Sequence, residues 1–217
     1  MIDAHEPIKP TGIRRSWPNM MTREGVQGME YNAWSDGNPP EHTTILPFTR
    51  MLGGPLDYTP GIFDVLIENF KDERNQKKEL IEKTRVHTTR AKQLALYSIL
   101  FSPLQMAADL IENYRGEEEF QFIEQVPASW HATRVLNGEI GDYITMARKH
   151  NEEWYLGSIT DEESRSMEVE LDFLAEDQSY RAIRYADAKG TDWKNNPTDV
   201  SIDTINVQAG QTLQLEL

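Results

Sequence analysis

Residues 1–31 read MIDAHEPIKPTGIRRSWPNMMTREGVQGMEY, and the reading of the fold turns on them. The short apolar run Met1-Ile2-Asp3-Ala4-His5 reads as the end of a strand, and Glu6 follows it at once. Pro7, Pro10 and Gly12 then forbid a helix and force a loop. A second loop, Trp17-Pro18-Asn19, leads to Thr22-Arg23-Glu24-Gly25 and on to Gly28-Met29-Glu30-Tyr31. Carboxylates at strand ends, and on the loops that follow, are where (β/α) barrels keep their chemistry. Glu6, Glu24 and Glu30 are therefore candidate site residues, although three glutamates are a weak signal alone in a chain with 36 acidic residues.

Outward from this stretch, residues 1–62 are rich in Gly, Pro and aromatic residues, with brief strand expectations at Met1–His5, Gly28–Asn32 and Thr43–Met51. Pro47 cannot donate to a ladder, so the last of these belongs at an edge or is irregular. Gly53-Gly54-Pro55 and Thr59-Pro60-Gly61 mark long turns of the kind that usually carry function. Residues 69–85, containing KDERNQKKELIEKTR, read as a solvated helix or loop. Thr88–Phe101 has helical spacing, with Ala91, Leu94, Ala95, Ser98 and Ile99 near one face. Ser102-Pro103 breaks it and restarts a helix running to about Asn113, along which Met106, Leu110 and Tyr114 form a core stripe. Glu117–Gln125 is a third helix, stopped before Pro127.

From about Ala132 the period becomes two. Tyr143, Thr145 and Ala147 alternate with Ile144, Met146 and Arg148, while Met167, Val169, Leu171 and Phe173 alternate with Glu168, Glu170 and Asp172. That is a half-buried strand with one wet face. Tyr180–Ala186, Val200–Val207 and Thr212–Leu217 add further strands at the spacing of a small antiparallel sandwich. The expected fold class is α/β plus all-β, with residues 1–131 as a partial (β/α)8 barrel region and residues 132–217 as a C-terminal β-sandwich packed directly against it.

The chain has 217 residues, 38% hydrophobic and 27% charged, in the range of soluble globular domains. A net charge of −14 argues against nucleic acid and anionic membrane surfaces as partners. With no cysteine there is neither a disulfide nor a thiolate zinc site. No apolar run approaches the roughly 20 residues a membrane helix needs, and the N-terminus lacks the basic and apolar regions of a signal peptide. Nucleophile elbow, phosphate loop, zinc pattern and dinucleotide fingerprint are all missing.

Three blocks decide the functional reading: HEPIKPTGIRRSWPNMMTREGVQGMEYNAW, HTTILPFTRMLGGPLDYTPGIF and ALYSILFSPLQMAADLIENY. Together they resemble glycoside hydrolase family 97, a family of calcium-dependent α-glucosidases and α-galactosidases. The resemblance runs along nearly the whole chain and corresponds to the C-terminal part of a family member. The family's N-terminal sandwich and the first half of its barrel have no counterpart. By this resemblance Glu30 matches the general acid, Glu24 a calcium ligand, and Glu6 a residue that both ligates calcium and serves the base machinery. His5 matches a histidine that hydrogen-bonds the sugar. The metal set that the resemblance implies is Glu6, Glu24 and Glu30, for Ca2+.

The family's inverting α-glucosidase branch carries Glu after this histidine, whereas the retaining branch carries Gly and an upstream aspartate nucleophile. His5-Glu6 therefore implies inversion of an α-linked gluco-oligosaccharide, with acid and base roughly 6.5–9.5 Å apart. Physical chemistry supports a hard cation there, because converging carboxylates repel one another without one and calcium takes about six to eight oxygen ligands. Trp17, Tyr31, Trp34 and Tyr58 either stack on sugar or pack in the core. His42 is expected to be structural, Arg14 and Arg15 to tie their loop to carboxylates, and Asp57 to line the pocket without an assigned role.

A full barrel takes about 250 residues, so the chain alone is expected to have little or no glucosidase activity. Open sheet edges invite pairing, which makes a homodimer, or an N-terminal partner chain completing the barrel, the expected partner. The rival reading is a non-catalytic carbohydrate-binding or structural remnant. The resemblance places the protein in the periplasm or outside the cell.

Overall fold

Ile2–Ala4 forms strand β1 and Met20–Arg23 strand β2, paired in parallel with Ala4 opposite Arg23. Arg23 is bridged in parallel to Leu56, so a third segment continues the same ladder. These coordinates come from a computed structural model that describes residues 1–5, 8–33, 35–67 and 85–217. Glu6, Trp34 and the charged run 69–84 lie outside the described residues.

Between β2 and Leu56 the described residues form short helices and no strand, which corrects two of the strand expectations. Met29–Ala33 is a 3-10 helix. His42–Ile45 is helix α1, continued by 3-10 turns at Leu46–Phe48 and Arg50–Gly53. Two threonines of the expected strand instead turn their hydroxyls back on the chain. Thr44 Oγ1 donates to the Glu41 carbonyl at 2.7 Å, and Thr49 Oγ1 to the Ile45 carbonyl at 2.9 Å. Pro47 falls in the first turn of a 3-10 helix, where its missing N–H costs nothing.

Arg90–Ile99 is helix α2. Thr89 caps its N-terminus by accepting from the Lys92 amide at 3.2 Å, a cap usually contributing about 1 kcal/mol. Leu94, Leu96 and Ile99 are buried, each contributing about 1.5–3 kcal/mol of apolar transfer. The expected second helix after Pro103 is not formed. Only Ile111–Tyr114 (α3) is helical there. Upstream of it the backbone finds partners elsewhere: Ala108 N donates to the Pro60 carbonyl at 3.2 Å and the Tyr97 hydroxyl to the Met106 carbonyl at 2.7 Å. Of the expected core stripe only Tyr114 is buried, since Met106 and Leu110 are exposed. Phe120–Gln125 is α4.

The rest is antiparallel sheet. Ala132–Glu139 (β3), Tyr143–His150 (β4) and Glu153–Thr160 (β5) form a meander. Ser166–Glu170 (β6) pairs with Thr212–Glu216 (β9), and Ser179–Asp187 (β7) with Val200–Gln208 (β8). Val169, Leu171, Leu174 and Val207 form the core between these layers, with Trp154 and Leu156 from β5 packed on it. The alternation along residues 167–173 is therefore the buried face of a small mostly-β domain.

Helix α2 joins this domain to the N-terminal segments. It packs on β5, β4 and β7. Gly157 on β5 permits the close approach, since a Cβ there would lie 2.9 Å from the Ala95 carbonyl oxygen. One apolar cluster runs through both regions, from Met29, Leu46, Leu56 and Val65 to Leu96, Ile99, Ile144, Met146 and Ile159. Arg148 of β4 lies 5% exposed and donates to the Ser98 and Ile99 carbonyls at the C-terminus of α2. Its guanidinium also stacks 5.9 Å from the rings of both Phe101 and Trp130. Among the described residues no helix is long and apolar enough to cross a membrane.

Candidate active site

The three parallel segments end in register. Glu24 N donates to the Ala4 carbonyl at 3.1 Å, and Asp57 N donates to the Arg23 carbonyl at 2.9 Å. His5, Glu24 and Asp57 are each the next residue after a paired position, so all three leave the ladder at one level. This is the C-terminal edge of a parallel arrangement, where ligand sites gather in α/β folds.

Arg50 holds the edge together. Its guanidinium donates to the Arg23, Glu24, Gly54 and Pro55 carbonyls at 2.7, 2.9, 3.2 and 3.0 Å. Burial lowers its pKa from the ordinary arginine value, and nearby Arg14 adds to that effect. Four carbonyl dipoles take the place of a carboxylate partner.

At the edge, His5 is enclosed by carboxylates. Its Nδ1 lies 3.2 Å from Asp57 Oδ2 and 3.8 Å from Glu24 Oε2, and its Nε2 lies 2.9 Å from Glu30 Oε1. Glu30 reaches the cluster from the 3-10 helix Met29–Ala33, and its side chain stays 48% exposed. Asp57 and Glu24 are 2% and 5% exposed. Burial works to lower the His5 pKa, but the bonds to Asp57 and Glu30 and the charges of Glu24 and Glu30 outweigh it and lift it to about 9. The imidazole is thus an imidazolium at neutral pH. Asp3, behind Asp57, is pushed up to about 6 by burial first and then by the adjacent Asp57 charge and the hydrogen bond between the two carboxyls.

The structure therefore gathers Glu24, Glu30 and His5 at one place. Each brings one donor atom within 4.8 Å of the other two. Glu6, the fourth candidate, lies outside the described residues. The donor chemistry fits calcium through the two carboxylates, which offer hard oxygens. It fits poorly through His5, because a hard cation such as calcium takes oxygen ligands and an imidazole offers only nitrogen. Glu24 and Glu30 are the described residues that would hold such an ion.

The remaining candidates divide as follows. Tyr58 is buried in the core against His42, with ring centroids 6.2 Å apart. His42 is structural: its Nε2 meets the Gln27 carbonyl at 2.9 Å. Trp17 is 64% exposed, which removes the core reading for it. Arg14 ties its loop to the Gly53 carbonyl at 3.0 Å, not to a carboxylate. Asp57, Asp3 and Arg50 carry no assigned role in the sequence reading. One signal for Asp57 was present: Ile2-Asp3-Ala4-His5, Met20-Met21-Thr22-Arg23-Glu24 and Pro55-Leu56-Asp57 all end a short run on a titratable residue.

Comparison with known proteins gives the family of the chain. Residues 129–217 match the family described as "Glycosyl-hydrolase 97 C-terminal, oligomerisation", and residues 1–26 match "Glycoside hydrolase 97". Together these matches cover more than half of the chain. The retaining alpha-galactosidase of Bacteroides thetaiotaomicron is 36% identical over 194 residues, which is 86% of this chain and 28% of that protein. The probable retaining alpha-galactosidase of Streptomyces bingchenggensis is 33% identical over 172 residues, 79% of this chain and 24% of that protein. A glycoside hydrolase family 97 enzyme from Pseudoalteromonas sp. strain K8, solved in complex with panose and with acarbose, superposes with a TM-score of 0.89 in both complexes. The identities are 47% and 48%, over 100% of this chain and 33% of that one. A beta-arabinopyranosidase at 23% identity and TM-score 0.76 shares the fold. The chain spans about a quarter to a third of the length of these relatives. It belongs to glycoside hydrolase family 97, as a match to the C-terminal portion of its members.

Proposed function

We propose that this chain carries part of the active site of a calcium-dependent, inverting α-glucoside hydrolase acting on α-linked gluco-oligosaccharides. The observation that carries the proposal is the meeting of Glu24 and Glu30 around His5 at the ends of parallel segments. In this reading those segments, β1, β2 and the run through Leu56, are part of a (β/α)8 barrel. The finer choice of glucoside over galactoside draws support from the higher identity to the enzyme bound to panose and acarbose, against 36% and 33% for the two galactosidases. Glu6, standing where a retaining member has glycine, supports inversion.

The half-exposed Glu30 side chain supports the acid role for it. Its carboxyl group is open to an incoming glycosidic oxygen, and a general acid must come within hydrogen-bond reach of that oxygen. His5 donates through Nε2 to Glu30 and can share that donor with a sugar hydroxyl. Glu24, buried beside them, brings a second carboxyl group to the site. Calcium bound by Glu24, Glu30 and Glu6 would neutralise the converging carboxylates and supply positive charge at the sugar.

Calorimetric titration of the 217-residue chain with calcium, and with panose in its presence and absence, tests this. Wild type is expected to take up calcium, Glu24→Gln to bind it at least tenfold more weakly, and panose binding to depend on calcium. Calcium uptake unaffected by Glu24→Gln would refute the site. If turnover of an aryl α-glucoside is measurable, NMR of the first-formed sugar is expected to show the β anomer, and Glu30→Gln to abolish release. Self-association through residues 129–217 is a further part of the proposal, supported by the oligomerisation description of the matching family. Mass measurement in solution tests it.

A further inference from the structure

Asp57 is the most deeply buried of the groups around His5, and it has no part in the proposed calcium site. Its carboxylate is 2% exposed and lies 3.2 Å from His5 Nδ1. A buried carboxylate is retained only where hydrogen bonds or opposite charge compensate its lost hydration. Its backbone is also tied on both sides. Asp57 N donates to the Arg23 carbonyl at 2.9 Å, and Leu56 N to the Phe101 carbonyl at 2.9 Å. Arg50 holds the Gly54 and Pro55 carbonyls immediately before it. His5, by contrast, has a side chain 45% exposed at the end of a three-residue strand. Alone, such a ring turns about its Cβ–Cγ bond.

We propose that Asp57 is the positioning residue of this site: it grips His5 by Nδ1 and thereby aims Nε2 at the Glu30 carboxylate. The imidazole is rigid and its two nitrogens point to opposite sides, so fixing one direction fixes the other. The same division of labour holds wherever a carboxylate orients a histidine whose second nitrogen does the work. The two contacts on His5 have this form, 3.2 Å to the buried Asp57 and 2.9 Å to the open Glu30. Glu24, at 3.8 Å from Nδ1, is too far to replace Asp57 as the hydrogen-bond acceptor. The inference takes its functional meaning from the role proposed for Glu30, but its geometry stands without calcium.

Proton NMR of the full chain in water, at one fixed pH, tests it through the downfield imidazole N–H resonances. Those belonging to His5 are identified by their loss in His5→Gln. The wild type is expected to show a protected His5 Nδ1–H. Asp57→Asn, nearly isosteric and so the variant that keeps the packing, is expected to move that resonance upfield. Asp57→Ala is expected to lose it to exchange with water, and to disturb Nε2–H as well. Glu30→Gln is expected to shift Nε2–H alone. Circular dichroism accompanies each variant. A purely structural role for Asp57 predicts a lower melting temperature with the His5 resonances unmoved. That result in Asp57→Asn, or a wild-type chain with no protected His5 N–H, overturns the proposal. Failure of calcium uptake while the His5 signature still answers to Asp57 would sink the calcium reading and leave this one intact.

Discussion

Replacing Gly28 by Ala puts a single methyl group against the carboxylate of Glu24. An ideal Cβ at position 28 falls 2.5 Å from Glu24 Oε1 and 3.4 Å from its Cδ. The oxygen must retreat by about 1 Å to reach ordinary contact. Glu24 is 5% exposed, so its carboxylate cannot simply swing into water. The backbone at Gly28 is not among the positive-φ positions, so alanine itself fits the local conformation. The effect should therefore appear at the site and not in the turn. Groups that orient a metal ligand typically change affinity by about 10- to 100-fold when lost, which is roughly 1.4–2.7 kcal/mol of binding free energy. Calorimetric titration with calcium is expected to show a weakening in that range, while the thermal midpoint of the calcium-free chain falls by only a few degrees. Calcium affinity within twofold of wild type in Gly28→Ala would refute the placement of Glu24 as a ligand. A collapse of the fold itself would refute the claim that the clash is local.

Three further outcomes are expected. Arg148→Met removes the donors that meet the Ser98 and Ile99 carbonyls, and the stack between Phe101 and Trp130. The loss is about 3 kcal/mol after relief of the buried charge, seen as a midpoint lower by about 6–12 °C. A change below about 0.5 kcal/mol would show that the bolt between α2 and β4 contributes nothing. Lys92 donates to the Pro40 and Thr160 carbonyls, and burial pushes its ammonium down to about 8 from 10.5, against the pull of Glu162, Asp161 and Asp187. The unfolded chain thus binds the extra proton between those values, so wild-type stability should rise relative to Lys92→Met as pH climbs from about 8 to 10.5. The rise is at most roughly 3 kcal/mol, measured by urea unfolding at several pH values, and a flat difference would contradict the burial. Arg50→Gln should cost about 2–3 kcal/mol by leaving carbonyls unpaired, and should weaken calcium uptake as well. Loss of stability with unchanged uptake would make Arg50 a scaffold residue only.

Where local chemistry and global packing agree, the sequence was easily read. The period-two run at residues 167–173 is the buried face of β6 and the turn after it, because alternation along a strand needs no knowledge of the partner. Helix α2 was legible for the same reason, from the spacing of Leu94, Ser98 and Ile99. Thr43–Met51 was not, because its apolar run carries no sign that the Thr44 and Thr49 hydroxyls bond back to the Glu41 and Ile45 carbonyls within helical turns. The segment after Pro103 does not form the expected helix because its backbone groups are satisfied by the Pro60 carbonyl, remote in sequence, and by the side-chain hydroxyls of Tyr97 and Tyr114. No periodicity encodes that.

The sequence by itself determined the residue types at the site, the family, and the two-part order of helical and β segments. Only the tertiary structure decided that His5, Glu24 and Asp57 stand level at one edge. That alignment comes from hydrogen bonds between parallel segments separated by loops of different length, and from one arginine holding four carbonyls. The reason is geometric: a carboxylate's chemistry depends on what lies within about 4 Å of it, and chain order fixes no such distance across a loop.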